Sequence, residues 1–158
     1  MVQKAWLSKV PIPPENVFAT EGQDKDPEQA AKRYEESIKR TFGVHNDFPR
    51  FDLILLGLGP DGHTASLFPD SAALGQKQRI FVANFSPSMQ NWRMTLTFPA
   101  INNAQNVAFL VAGSSKAAII DEIFHSQTKK YPAQFVQPEA GKLEWYLDRA
   151  AAASLSGG

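Results

Sequence analysis

The sequence predicts an α/β fold, a mainly parallel sheet flanked by helices, and three observations carry that expectation. Two nearly continuous apolar runs, "FDLILLGLG" at 51–59 and "NVAFLVAG" at 106–113, each end in glycine. Such runs mark strands covered on both faces of a parallel sheet. Strand-like and helix-like stretches alternate along the chain, the order that builds these sheets. Both glycine turns fall where strands end, and open α/β sheets bind ligands beyond the carboxyl ends of their strands.

Each element follows from local chemistry. Residues 1–10 read as a short helix on Val2, Ala5, Trp6 and Val10, stopped by "PIPPENV" because proline cannot continue a helix. In "DKDPEQAAKRYEESIKRTFG", Asp26 is the expected N-cap, Pro27 the first helical residue and Glu28 a first-turn acid. Ala30, Ala31, Tyr34, Ile38 and Phe42 then recur at helical spacing up to Gly43. After the strand at 51–58 a short helix is expected from His63 through about Leu67, ended by Pro69. "RIFVANF" is a second strand candidate, and "RMTLTFPAINNA" alternates until Pro99. "NVAFLVAG" is a further buried strand, and "SSKAAIIDEIFHS" a helix capped by Ser114 or Ser115. "PAQFVQP" reads as a short strand bracketed by prolines, and "GKLEWYLDRAAAASL" as a closing helix before the "SGG" tail. The chain opens on a helix, and no glycine-rich phosphate loop precedes residue 50.

Composition bounds the partners. A chain of 158 residues fits one domain with a sizeable core, and 43% hydrophobic with 20% charged residues is ordinary for a globular protein. Sixteen basic residues balance sixteen acidic ones, so nothing indicates nucleic acid. The absence of cysteine excludes disulfides and thiolate chemistry and fits a reducing compartment. No apolar run reaches the roughly 18 residues of a membrane span. The N-terminus lacks the apolar stretch of a signal peptide, so a cytoplasmic location is expected.

Two turns carry the candidate site. Gly57, Gly59 and Gly62 fall within six residues, where positive φ or close backbone approach is needed. Such a turn can present backbone N–H groups to a substrate oxygen, and His63, at the start of the expected helix, can serve as a base near neutral pH. The alternative is a tight connection with a surface histidine; Asp61, two residues away at the mouth of a buried strand, favours a site. In "VAGSSKA", Lys116 occupies a first helical turn, where a cation opposes the dipole unless an anion joins it. A bound phosphate or a solvated lysine would each account for it. The longer Gly-x-x-x-x-Gly-Lys-Ser/Thr pattern is absent, so nucleotide binding is not indicated. Arg93, just before "MTLTF", either reaches an anion bidentately or is a surface residue. His45 and His125 lack metal-ligand spacing, and no metal site is expected. Trp6, Trp92 and Trp145 read as core rather than a base-stacking platform. Ser66 lies in no Gly-x-Ser-x-Gly elbow.

"LGLGPDGHTASLFP" closely resembles the signature of the 6-phosphogluconolactonase family. "RMTLTFPAINNAQNVAFLVAGSSKA" and "PAQFVQPEAGKLEWYLDRAAA" are similar to its later blocks, and "VPIPPENVFAT" and "DPEQAAKRYEESI" to segments upstream. The resemblance implies a Rossmann-like fold shared with glucosamine-6-phosphate deaminases and ribose-5-phosphate isomerases. It implies hydrolysis of 6-phospho-D-glucono-1,5-lactone to 6-phospho-D-gluconate in the oxidative pentose phosphate pathway, with no cofactor. Carried over by position, His63 would activate water, and Asp61 would shape the turn or orient the histidine. Lys116 would bind the 6-phosphate, with Arg93 supporting that end, and Gly59 and Gly62 would bind the substrate through the backbone of the turn. The family usually carries a further N-terminal third, with a "GGSTP"-like phosphate loop and a "DER"-type segment, and neither is in this sequence. Residues 1–158 are therefore expected to form a single, N-terminally incomplete domain, prone to self-association or completed by another segment. A glucosamine-6-phosphate deaminase or isomerase is the nearest alternative. That family shares "DGH" but continues with Asn-Glu-Pro, where this chain has Leu67, Phe68 and Pro69. A non-catalytic sugar-phosphate-binding module is the alternative of another class.

Overall fold

A computed structural model describes residues 2–20 and 24–155; Met1 and the "SGG" tail lie outside the described residues. Helix α1 spans only Val2–Ala5 and is followed by a 3₁₀ turn at Leu7–Lys9. Trp6 leaves helical geometry at φ −138°, which is why the helix expected over residues 1–10 is split. Helix α2, Pro27–Phe42, matches its sequence signals: the Asp26 carboxylate accepts the Gln29 N–H at 3.1 Å, and Gly43 ends the helix at φ +64°. Such a cap contributes about 1 kcal/mol.

The sheet proper has three parallel strands. β1, Ile54–Leu56, pairs with β4, Asn106–Val111, which pairs with β5, Lys142–Leu147. Between β1 and β4 the chain makes an antiparallel hairpin of β2, Phe81–Ser86, and β3, Asn91–Leu96. Helices α3, Phe98–Asn102, and α4, Ala117–His125, flank β4 in the chain. Ile54, Leu56, Val107, Phe109 and Val111 project from one face of the sheet into a core shared with Leu58, Leu67, Ile101, Ile119 and Ile120. A second core joins Ala31 and Ile38 of α2 to Ile80, Phe81 and Ala100. Glu35 locks that junction: it is 3% exposed, accepts the Ile80 and Phe81 N–H groups at 2.5 and 3.4 Å, and pairs with Arg79.

The opposite sheet face is bare. Leu53, Leu55, Leu110 and Tyr146 are 54%, 60%, 52% and 55% exposed, so the apolar run at 51–58 is covered on one side only among the described residues. β1 also has a hydrogen-bonded neighbour on one edge only among them.

Four expectations are corrected. Lys142–Leu147 is strand β5, not the start of a closing helix. Its Leu143, Trp145 and Leu147 alternate, and the Trp145 ring stacks on Phe109 at 3.8 Å. "PAQFVQP" forms a 3₁₀ turn over Pro132–Phe135 rather than a strand; proline supplies no ladder donor, and Gln134 Oε1 accepts the N–H groups of Lys130 and Tyr131. No helix follows His63: Ala65 takes φ +50°, and the buried Thr64 hydroxyl donates to the Gly57 carbonyl at 2.9 Å, turning the chain back on β1. Trp6 and Trp92 are 56% and 47% exposed and do not belong to the core; Trp92 meets Phe85 edge-on across the hairpin.

Candidate functional site

The turn after β1 is folded tightly around one side-chain pair. His63 Nδ1 stands 2.6 Å from Asp61 Oδ1, and the same carboxylate oxygen accepts the His63 backbone N–H at 3.2 Å. With Asp61 accepting from Nδ1–H, Nε2 keeps the free lone pair. Gly59 makes the pair possible: a β-carbon there would lie 2.1 Å from His63 Nδ1 and 2.7 Å from Asp61 Oδ1. The imidazole rests on Phe68, ring centroids 4.6 Å apart. Partial burial pushes the Asp61 carboxyl up, but the side-chain and backbone hydrogen bonds from His63 outweigh it and hold the group below its ordinary value.

The expected display of turn N–H groups is not what the structure shows. Gly59 N–H donates to the His63 carbonyl at 2.8 Å, and Gly62 N–H to the Gly59 carbonyl at 3.1 Å. With the His63 N–H held by Asp61, these donors close the turn instead of facing outward. Gly62, at φ +75°, lies on the far side against Tyr131.

The second turn follows β4. Gly113 takes φ +98°, and Ser114–Lys116 form a 3₁₀ turn leading into α4. Neither Ser114 nor Ser115 caps the helix: the N-cap position is Lys116 and no side chain caps it. Gly113 N–H is instead held by the carboxylate of Asp148.

His63 and Lys116 line one cleft of about 650 Å³, with Gly59, Pro60, Ser66 and Thr95. Residues 54–58 form one wall, so the cleft runs along the unpaired side of β1. Arg93 is not in it. It stands mid-strand in β3, exposed, with its guanidinium 3.2 Å from Met89 Sδ. Arg93 lines a neighbouring cleft of about 430 Å³ that shares Thr20, Ser66 and Met94 with the first. Asp61 and Gly62 support His63 from behind the lining. Among the described residues no group of His, Asp or Glu side chains is arranged to hold a metal ion.

Sequence reasoning missed the groups that hold the cleft's floor. Thr95 Oγ1 accepts the Ser66 N–H at 3.2 Å; the buried Asn84 amide donates to the Ser66 carbonyl at 2.7 Å and to Ser71 Oγ at 2.9 Å. The available signal was polar residues in otherwise apolar strands, since a buried amide must find partners.

Fold and site together define a parallel α/β protein with a histidine–carboxylate pair at the carboxyl end of one strand and a lysine turn at the end of the next. The sequence profile of the glucosamine-6-phosphate isomerases/6-phosphogluconolactonase family matches residues 1–145, and the chain belongs to that family. It is 45% identical over 158 residues to the 6-phosphogluconolactonase of Synechocystis, covering 98% of this chain and 65% of that protein. The crystal structure of the devB protein superposes with a TM-score of 0.86 at 33% identity, over 95% of this chain and 63% of that one. The 6-phosphogluconolactonase of Thermotoga maritima gives 0.76 at 31% identity, over 92% and 62%. The chain thus spans slightly less than two thirds of the length of these relatives. Among the described residues no helix is long and apolar enough to cross a membrane.

Proposed function

We propose that this chain carries the base and the anion site of a 6-phosphogluconolactonase, hydrolysing 6-phospho-D-glucono-1,5-lactone to 6-phospho-D-gluconate. The observation that carries the reading is the single cleft lined by both His63 and Lys116, with His63 Nδ1 bound by Asp61. Lys116 takes the 6-phosphate, and the lactone carbonyl lies toward His63. Nε2 accepts a proton from water as its oxygen adds to C1, giving a tetrahedral oxyanion. The ring C1–O bond then breaks, and the departing ring oxygen takes the proton back from the imidazolium. One water is consumed and one carboxylic acid formed. Asp61 holds the tautomer and stabilises the transient imidazolium; a base so placed is worth about 10²–10⁴ in rate. Arg93, in the adjoining cleft, supports the phosphate end. The family relatives named above support the substrate, and the balanced charge and cysteine-free composition support a cytoplasmic setting.

We propose further that residues 1–158 are one part of a longer α/β unit, the free side of β1 and the bare Leu55–Leu110–Tyr146 face being completed by another segment or by self-association. The test of the function is lactone hydrolysis above the spontaneous rate, with and without an added upstream segment from a full-length relative, against a His63→Asn control. We expect weak turnover alone, restoration by the segment, and a loss of about a hundredfold in His63→Asn. Equal turnover by His63→Asn would remove His63 from the chemistry.

A further inference from the structure

The contact between Tyr131 and Gly62 is closer than packing of a loop onto a core requires. A β-carbon on Gly62 would stand 2.5 Å from Tyr131 Cδ1 and 2.7 Å from its Cβ and Cγ, so the ring is seated on the glycine itself. The Ala133 N–H donates to the Gly62 carbonyl at 3.0 Å, fixing the peptide that leads into His63. The ring is in turn held by α4. Its hydroxyl donates to Glu122, Lys130 Nζ lies 2.7 Å from the same carboxylate and 4.7 Å from the ring centroid, and Gln134 Nε2 donates to the Ile123 carbonyl at 3.2 Å. Tyr131 therefore couples the helix that follows Lys116 to the turn that presents His63.

We propose that Tyr131 is a positioning residue for the His63–Asp61 pair, its ring seating Gly62 so that the turn holds the imidazole against the Asp61 carboxylate. The turn is supported on its cleft side by the bare α-carbon of Gly59, over which His63 and Asp61 fold. Tyr131 supplies the opposing surface. Without the ring, Gly62 can slide toward the space it leaves, and the 2.6 Å Nδ1–Oδ1 bond loosens. Misplacing a reacting group by about 1 Å costs on the order of a hundredfold in rate.

This inference rests on His63 being the base, and its test is built so that the two ideas fail separately. Wild type, Tyr131→Phe and Tyr131→Ala are compared in the chain as it stands, and in the segment-completed form for kinetics. The first readout is the titration of the Asp61 carboxyl by NMR, which needs no turnover. The second is the split of kcat and KM for the lactone. Tyr131→Ala is expected to raise the Asp61 midpoint toward the ordinary carboxylate range and to lower kcat about 10- to 100-fold with KM within about threefold. Tyr131→Phe keeps the ring and should stay within about fivefold of wild type, with the Asp61 midpoint unmoved. An unchanged Asp61 midpoint in folded Tyr131→Ala overturns the proposal, whatever kcat does. If Tyr131→Ala does not fold, Tyr131→Leu takes its place with the same expectations. Absence of lactone hydrolysis in the segment-completed wild type would defeat the functional reading, while the Asp61 titration would still decide the role of Tyr131.

Discussion

Both carboxylate oxygens of Asp148 accept the backbone N–H of Gly113, each at 3.1 Å, and one of them also accepts the Ala151 N–H at 2.7 Å. The residue that follows β5 therefore holds the turn that ends β4, and with it the start of the Lys116 segment.

That bond makes a pH prediction. The Ala151 and Gly113 N–H groups hold the Asp148 carboxyl below its ordinary value, as the His63 bonds do for Asp61 against its partial burial. The unfolded chain therefore binds these protons more readily, so the stability they give is full above about pH 5 and is lost as pH falls through the folded-state values. Melting temperature measured from pH 6 to pH 3 should fall toward acid, and the fall should be shallower in Asp148→Asn and in Asp61→Asn. A parallel slope in both variants would remove these carboxyls from the acid response.

Lys116 makes a prediction about substrate charge. Lys116→Ala should raise KM for the phosphorylated lactone about 10- to 100-fold, the worth of a charge-assisted hydrogen bond of about 1.5–3 kcal/mol. Unphosphorylated gluconolactone should change far less. Equal losses on the two substrates, in steady-state assays corrected for spontaneous hydrolysis, would place Lys116 outside the phosphate site.

The bare sheet face makes a prediction about association. Leu55 and Leu110 project from neighbouring strands on the uncovered side. Apolar patches of this kind, beside an unpaired strand edge, drive self-pairing. Light scattering should find the chain associated at tens of micromolar concentration or above, and Leu55→Glu with Leu110→Gln should shift it toward monomer. A monodisperse wild-type chain would show that the face needs no cover.

How much of this was legible in the sequence depended on the range of the interactions. Helix α2 was readable because Asp26, Pro27 and Gly43 act within a turn of the chain, and β1 and β4 because their apolar runs are unbroken. The glycine turn with Asp61 and His63, and the lysine in "VAGSSKA", were readable as candidates because each stands at the end of an apolar run. β5 was misread because the alanines after Asp148 favour helix locally, while its strand state is set by pairing with β4, far away in the chain. The turn's N–H groups were misjudged for a similar reason: their acceptors, the His63 and Gly59 carbonyls and the Asp61 carboxylate, are fixed only once the turn has closed. Tyr131 carried no signal, since its partner, Gly62, is far away along the sequence and no local pattern marks a ring that stands behind a turn.

The two kinds of strand pairing differ in what the chain must do to reach them. Asn91 to Leu96 meets Phe81 to Ser86 by simply turning back, whereas Ile54 must find Val107, and Asn106 must find Lys142. Long loops are entropically expensive to close before their contacts reward them, so the hairpin is expected to form before the parallel registers. His63 and Lys116 each hang from the end of a parallel strand, and so the cleft is expected to form only once the parallel registers are in place. In a refolding experiment followed by amide exchange, hairpin amides such as Thr95 should gain protection before Leu56 and Phe109. Any change that slows β1 from docking on β4 would then leave molecules that carry native hairpin and helix signals yet have no site at all.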